Sequence, residues 1–284
     1  MVDPQVNNPK SPKFYVKRYL TGIKDELRGK IVLDLPAGNG VTSEILLELG
    51  SKVEAFDLFP EYFLPKDIIC KKADINEGIP VENNYADFII CQEGIEHFND
   101  KLKMFSEFNR ALKMEGRLII TTPSISNLAA KLSYTLFEAE YFHKLMPPNE
   151  IDSVWLGDKV NKKIYYGHIF LIGMQKMRVI GRITGFKISE IIFMRINKTA
   201  LFLFPFWYPL IFLSSYYTYF KALGRNKSID YEAKKKVYKE QLKINLNPKV
   251  LLDRHSFVVF EKEFEYADVY DHLLSISKPL NEIL

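Results

Sequence analysis

The sequence predicts an α/β fold built on a doubly wound, mostly parallel sheet of seven strands. Three observations carry this. Short apolar runs alternate with amphipathic stretches from residue 31 onward. The first run ends in a glycine-rich turn, DLPAGNG, and acids, Asp34 and Asp57, close the first and second runs. Strands alternating with helices at this rhythm make βαβ units whose strands lie parallel.

Taken in order, Val16, Leu20, Ile23 and Leu27 recur at helical spacing and predict an amphipathic helix over 14–28. IVLDL (31–35) is a short apolar run ending in turn residues, as a strand buried on both faces should be. VTSEILLELG (41–50) predicts a helix stopped by Gly50. Strands follow at 52–57, 67–72 and 86–92. A helix over 101–116 carries Leu102, Phe105, Phe108 and Leu112 on one face, and GRLIITT (116–122) is a fifth strand. Residues 123–167 show little period and are expected to cap the strand ends. A helix over 172–184, stopped by Gly185, leads to a sixth strand at 186–193. The seventh, SFVVFEKE (256–263), comes only after an insertion, 199–250. A single domain over 14–284 is expected, preceded by a flexible arm, 1–13. That arm is polar, proline-punctuated and lacks the apolar core of a signal peptide.

The 284 residues suffice for a self-sufficient core, and 47% apolar with 26% charged is ordinary for a globular protein. A net charge of +4 is too small to argue for a nucleic-acid partner. The spacing of the two cysteines, Cys70 and Cys91, fits neither a disulfide framework nor a zinc site. They read as reduced thiols on neighbouring strands, in a cytoplasmic setting.

The turn Asp34-Leu35-Pro36-Ala37-Gly38-Asn39-Gly40 lets a ligand approach the backbone closely at the carboxyl edge of the sheet. Asp57, ending the second strand, stands where an acid can bind ribose hydroxyls. Charge separates the two ligand classes that use such a turn. A dinucleotide brings a pyrophosphate, which wants bare N–H groups and a third glycine where this chain has Ser43. S-adenosylmethionine (SAM) brings an ammonium and a sulfonium and no phosphate, so Asp34 at the strand tip favours it. Taken singly, these acids and glycines are also ordinary turn residues.

In this order, the D-x-x-x-G-x-G turn, Asp57, Ala73-Asp74-Ile75 and YADFIICQEGIEHF resemble the successive motifs of class I SAM-dependent methyltransferases. The likeness runs through residues 30 to 125 and resumes at GHIFLIGMQKMRVIGRITGF and SFVVFEKE. It implies a Rossmann-like fold with Asp34, Pro36, Ala37, Gly38 and Gly40 around the methionine end of SAM. It implies Asp57 and Leu58 at the ribose, Asp74 and Ile75 at the adenine, and Gln92 near the sulfonium. Pro36 departs from the family's usual glycine; it fixes φ and removes a donor while the carbonyl acceptors remain.

Glu93, Glu96 and His97 form E-x-x-E-H just past the fourth strand. In a helical turn these positions share one face, where two carboxylates and an imidazole could hold a divalent ion such as magnesium. Methyl transfer to a hydroxyl needs a nucleophile more basic than a neutral alcohol, which a metal or a histidine base supplies. The motif resembles the ubiquinone-pathway O-methyltransferases and the small-RNA 3′-terminal 2′-O-methyltransferases. In the latter a further histidine joins the metal, and His168 in GHIF is the candidate here. The likeness makes His97, Glu93 and His168 the catalytic candidates. Glu96-His97 could equally cap a helix and line the pocket without a metal.

The apolar segment TALFLFPFWYPLIFLSSYYTYFKAL (199–223) is long enough to span a bilayer. Topology argues against a span, because the strands on either side of it should pair in one sheet. Pro205 and Pro209 should break a continuous helix, leaving a hairpin or broken helix that dips into one leaflet, or a lid. Arg195 and Lys198 precede it; Arg225, Lys227, Lys234, Lys235, Lys236 and Lys239 follow. Such flanks suit an anionic membrane surface. A solvated basic helix (230–244) beside a self-buried aromatic patch is the plainer alternative.

The expected activity is transfer of a methyl group from SAM to an oxygen of a small-molecule, lipid-linked or glycan-intermediate acceptor, at the inner face of the membrane. N-methylation, RNA 2′-O-methylation and a catalytically silent SAM-binding membrane-docking module are the rivals.

Overall fold

The computed structural model describes residues 3–139, 149–158, 163–225 and 229–276. Helices α1 (Pro12–Gly22) and α2 (Lys24–Leu27) lead into β1 (Ile31–Asp34), and the turn after it opens α3 (Val41–Glu48). Then come β2 (Lys52–Asp57), β3 (Cys70–Lys72), β4 (Ala86–Gln92), α4 (Lys101–Ala111) and β5 (Leu112–Pro123). A cap follows, made of α5 (Leu128–Phe137), α6 (Glu150–Ser153) and the antiparallel hairpin β6 (Val154–Asp158) and β7 (Lys163–Tyr166). Residues 140–148 and 159–162 of the expected cap lie outside the described residues. The chain continues through α7 (Met174–Ile183), β8 (Phe186–Ile192), α8 (Lys198–Leu223), α9 (Tyr231–Asn245), α10 (Pro248–Leu252), β9 (His255–Lys262) and α11 (Val269–Ile276).

The seven-stranded sheet has the order β3-β2-β1-β4-β5-β9-β8, with β9 antiparallel to both neighbours and the first five strands parallel. Alternation along each strand sends side chains to two cores. Leu33, Ile89, Leu118, Ile120, Val258 and Phe260 pack under α4 and α7, against Phe105, Phe108 and Met177. Val32, Phe88, Ile90, Ile119, Phe257 and Val259 pack on the other face, against Leu20, Ile45 and Leu46 of α1 and α3. Burial on both faces explains why the strands read as apolar runs rather than alternating ones.

The structure differs from the sequence expectations at four places. The helix expected over 101–116 stops at Ala111, and Leu112 already pairs with Ala86 in the sheet. The register then slips between Ala86 and Phe88, with Glu115 at φ 63°. Fully buried Lys262 explains the stop, because its ammonium donates to the carbonyls of Asn109 and Leu112 at 2.8 Å, at the end of α4. The amino-terminal arm is docked from residue 3: Val6 is buried, and Lys13 Nζ bonds both Asp3 Oδ2 (2.8 Å) and Asn39 Oδ1 (3.1 Å). The cysteines do not sit on neighbouring strands, since β2 and β1 lie between β3 and β4; both are free.

The fourth difference is the insertion. Residues 198–223 form one continuous helix despite Pro205 and Pro209, so neither a hairpin nor a break occurs there. Both prolines lie on the exposed side, where the carbonyls they leave unpaired can turn to solvent. Ala200, Leu203, Phe204, Trp207, Tyr208 and Ile211 line the inner side against Leu128, Ala129 and Leu251, and this packing holds the halves in line. The basic helix is present as α9. Its Lys234 is buried rather than part of a charged surface, donating to the carbonyls of Leu223 and Arg225 at the end of α8. Lys227 lies outside the described residues.

Candidate active site

The parallel strands β1, β2 and β4 end at one edge of the sheet, and a cavity of about 630 Å³ opens there. Leu35, Ala37 and Gly40 amides bond the carbonyls of Ile90, Phe56 and Ala37, which fixes the turn against the neighbouring strands. Gly38 and Gly40 hold positive φ, 54° and 82°, which glycine alone adopts without strain. Pro36, Ala37, Gly38, Asp57, Leu58, Asp74, Ile75 and Gln92, all expected at SAM, line the cavity.

Asp34 and Gly40 do not line it. A Cβ on Gly40 would come within 2.4 Å of Pro65 and 2.6 Å of Phe63, so this glycine serves the packing of the loop after β2. Asp34 is buried beneath the turn, accepting from Ser43 Oγ at 2.6 Å, while its Oδ1 has no hydrogen-bond partner among the described residues. Burial pushes its carboxyl up to about 7, opposed by the Ser43 bond and reinforced by Asp57. Asp57 accepts from Gly38 N (2.7 Å) and Phe59 N (2.8 Å), so one carboxylate sets both the turn and the loop after β2. Gln92 Oε1 accepts from Thr42 Oγ1 at 2.7 Å.

Pro36 has a partner that makes sense of it. A Cβ on Gly94 would sit 2.3 Å from Pro36 Cδ. Gly94 has φ −129°, which any residue adopts, so the Pro36 ring alone forbids a side chain there. Gly94→Ala is expected to cost about 1–3 kcal/mol, as overpacking does, and to weaken ligand binding at the turn. Pro36→Gly in the same chain should restore both. Thermal melts and SAM titration of the single and double variants check this; a single variant indistinguishable from wild type would remove the coupling.

E-x-x-E-H does not form an α-helical turn. Ile95–His97 is a short 3-10 turn, and Glu93 precedes it at φ 47°. One ligand atom each of Glu96, His97 and His168 lie within 4.8 Å of one another; Glu93 is not among them. The left-handed backbone at Glu93 turns its carboxylate instead toward His255, 3.6 Å from Nε2. Glu96 is fully buried, its Oε2 accepting from Thr122 Oγ1 at 2.9 Å and its Oε1 unpartnered among the described residues. Burial raises the carboxyl pKa of Glu96, and that of Glu93, which the Glu96 charge raises further. His97 Nδ1 lies 3.0 Å from the carbonyl of Tyr166; donating there leaves its Nε2 lone pair for a ligand. An orphaned buried carboxylate oxygen beside two imidazoles suits a divalent ion.

His255 and the aromatic wall were not anticipated from the sequence. His255 begins β9, and because β9 runs antiparallel its first residue lies at the edge where the parallel strands end. That orientation was the missing signal. Phe59 and Trp155 also line the cavity, their rings 5.9 Å apart, with Trp155 5.5 Å from His97.

Sheet order, turn and strand-end acid define a class I SAM-dependent methyltransferase. The chain belongs to the methyltransferase-domain family, which it matches over residues 13–190. Solved structures share the fold: a SAM-dependent methyltransferase from Archaeoglobus fulgidus is 14% identical (TM-score 0.52), covering 90% of this chain and 97% of that one. Among curated relatives, the ubiquinone biosynthesis O-methyltransferases of Xanthomonas oryzae pv. oryzae (strain PXO99A) and Xylella fastidiosa (strain M23) are 28% and 30% identical. Each alignment covers 43% of this chain. The chain spans about half the length of these relatives, 54% and 52%.

Proposed function

We propose that this protein transfers the methyl group of SAM to an oxygen of a small-molecule or lipid-linked acceptor in the cytoplasm, with a divalent ion held by Glu96, His97 and His168. One observation carries the reading: His97 belongs both to the wall of the turn cavity and to the three-residue donor cluster, so an acceptor in the cavity would meet both. The names of the O-methyltransferase relatives support oxygen as the acceptor atom.

SAM supplies an electrophilic methyl on its sulfonium, and an ion such as magnesium would lower the pKa of an acceptor hydroxyl. The protein's own contribution is alignment and exclusion of water. The turn lies at the methionine end of SAM and Asp57 at the ribose, while Phe59, Phe98 and Trp155 wall the acceptor side. Glu93 and His255 face each other on the cavity wall and are placed to take the hydroxyl proton. SAM consumption tested against phenolic acceptors and a lipid extract, with mass spectrometry for a product heavier by one methylene, tests the proposal. Turnover restricted to amines would overturn the acceptor assignment.

Asp57→Ala is expected to cost about 1–3 kcal/mol of SAM binding, a lost charge-assisted hydrogen bond. It should also loosen the ligand-free turn, because Gly38 N and Phe59 N lose their acceptor. Calorimetry showing unchanged SAM affinity, or tight NAD binding, counts against the assignment.

A further inference from the structure

We propose that the outer face of α8 is a docking surface for an anionic lipid bilayer, with the helix lying in the plane of the interface. The face is a continuous apolar stripe. Phe202, Phe206, Leu213, Tyr217 and Phe220 are each more than 60% exposed. At 100° per residue they fall on one side of the helix, and at 1.5 Å per residue the stripe runs roughly 27 Å. An exposed aromatic stripe of this length marks an interaction site.

Charge selects the partner. No Asp or Glu stands between Glu190 and Asp230, whereas Arg195, Lys198, Lys221 and Arg225 bracket the stripe at both ends. On α9, which packs along α8, Lys235, Lys236 and Lys239 are exposed. An apolar strip between cations complements an interface with acyl chains below and anionic headgroups above. A second copy of the chain would instead bring like charges together.

Length and hydropathy alone would let α8 cross a bilayer. The connections forbid it. The chain leaves β8 and returns to β9 at one point, where Asn197 N bonds Leu252 O (2.8 Å) and Arg254 N bonds Arg195 O (3.1 Å). If α8 crossed, α9 would have to cross back carrying its lysines through hydrocarbon. The inner face of α8 is also occupied by α5 and α10, so only the outer face is open to lipid.

The test is sedimentation of the full-length protein with vesicles of phosphatidylcholine plus phosphatidylglycerol, against phosphatidylcholine alone, without acceptor. Methyl transfer is not read, so the result stands apart from the acceptor proposal. Binding to the anionic vesicles only is expected, weakening as salt rises. The double change Phe206→Glu and Leu213→Glu should lower it at least about tenfold. Reversing Lys235, Lys236 and Lys239 to Glu should lower it about a hundredfold, at roughly fivefold per charge near the surface. Buried Lys234 is left intact. SAM affinity, read on each variant, should stay at the wild-type value and report the fold. Binding to neither vesicle, or equal binding to both that ignores the lysine reversals, overturns the proposal. Loss of a dimer on Phe206→Glu without vesicle binding would assign the face to self-association instead.

Discussion

Asp34→Asn should raise the thermal stability of the ligand-free protein at pH 8 while weakening SAM binding severalfold, through the charge lost beneath the turn rather than through a contact in the cavity. The carboxyl is buried, has one oxygen without a hydrogen bond, and titrates near 7 rather than at its ordinary 3.8. A folded pKa above the unfolded one means the protein is stabilised below the unfolded value, and the advantage is lost as pH rises toward 7. At about 1.4 kcal/mol per pKa unit the loss is on the order of 4 kcal/mol by pH 8. An amide cannot ionise, so this contribution is absent from the variant. Buried Glu93, Glu96 and Asp253 titrate in both proteins. It is therefore the difference between the two melting temperatures that should grow, from near zero at about pH 4 to its full size by about pH 8. SAM, carrying an ammonium and a sulfonium, favours the ionised carboxylate, so wild-type affinity should grow with pH up to about 7 and binding should release a proton. Melts at several pH values, with calorimetry in buffers of different ionisation enthalpy, decide it. A wild-type protein whose stability ignores pH between 4 and 8 would contradict the argument.

Chelation should abolish turnover, by about a hundredfold to ten-thousandfold, and leave SAM affinity nearly unchanged, with magnesium restoring the rate. The separation is expected because the proposed SAM contacts, the turn and Asp57, are other residues than Glu96, His97 and His168, which cluster beyond the tip of β4. Glu96→Gln keeps the shape and the Thr122 hydroxyl beside it but removes the charge, so ion affinity should fall tenfold or more. Ion binding should also weaken as pH falls, because burial has raised the carboxyl pKa and protons compete for the same oxygens. Full activity in excess chelator would remove the ion and leave His97 and the Glu93–His255 pair as the proton acceptors.

The parallel half of the fold was legible because its central strands β1, β4 and β5 are buried on both faces and read as apolar runs, whereas β3 at the edge, Cys70–Lys72, is mostly exposed. The turn was legible for a local reason: the backbone at Gly38 and Gly40 is left-handed, which favours glycine, although Gly40 serves the packing of Phe63 and Pro65 rather than the cavity. Legibility failed where distant groups decide. The end of α4 depends on Lys262, some 150 residues away, and no local signal marks Ala111 as its last residue. Pro205 and Pro209 do signal a break locally, but contacts of Trp207 and Ile211 with the inner face override it. Glu93 was misplaced because helical spacing was assumed where its backbone is left-handed, and His255 stayed hidden because its role follows from the direction of β9. Asp3, Lys13 and Asn39 anchor the arm through side chains that look merely polar in sequence.

The junction where β8 leaves the sheet and β9 re-enters it has a meaning beyond geometry. Met194 N and Arg195 N both donate to the carboxylate of buried Asp253, closing the neck between the two strands before α8 begins. Residues 198–252 therefore leave and rejoin the sheet at one closed neck. Helices α9 and α10 pack back onto the body, Glu240 pairing with Arg178 and Arg182 and Ile244 and Val250 entering the core beneath α7. Loop-closure entropy changes by only about 0.6 kcal/mol for each doubling of length. The excursion can thus vary in length along α8 with little effect on the sheet. Losing it whole would uncover Leu128 and Ala129, strip Ile244 and Val250 from the core and leave buried Arg178 without its carboxylate. Among the described residues none of α8 lines the cavity at the strand ends, so the proposed docking face and the cavity wall can diverge in sequence independently of one another.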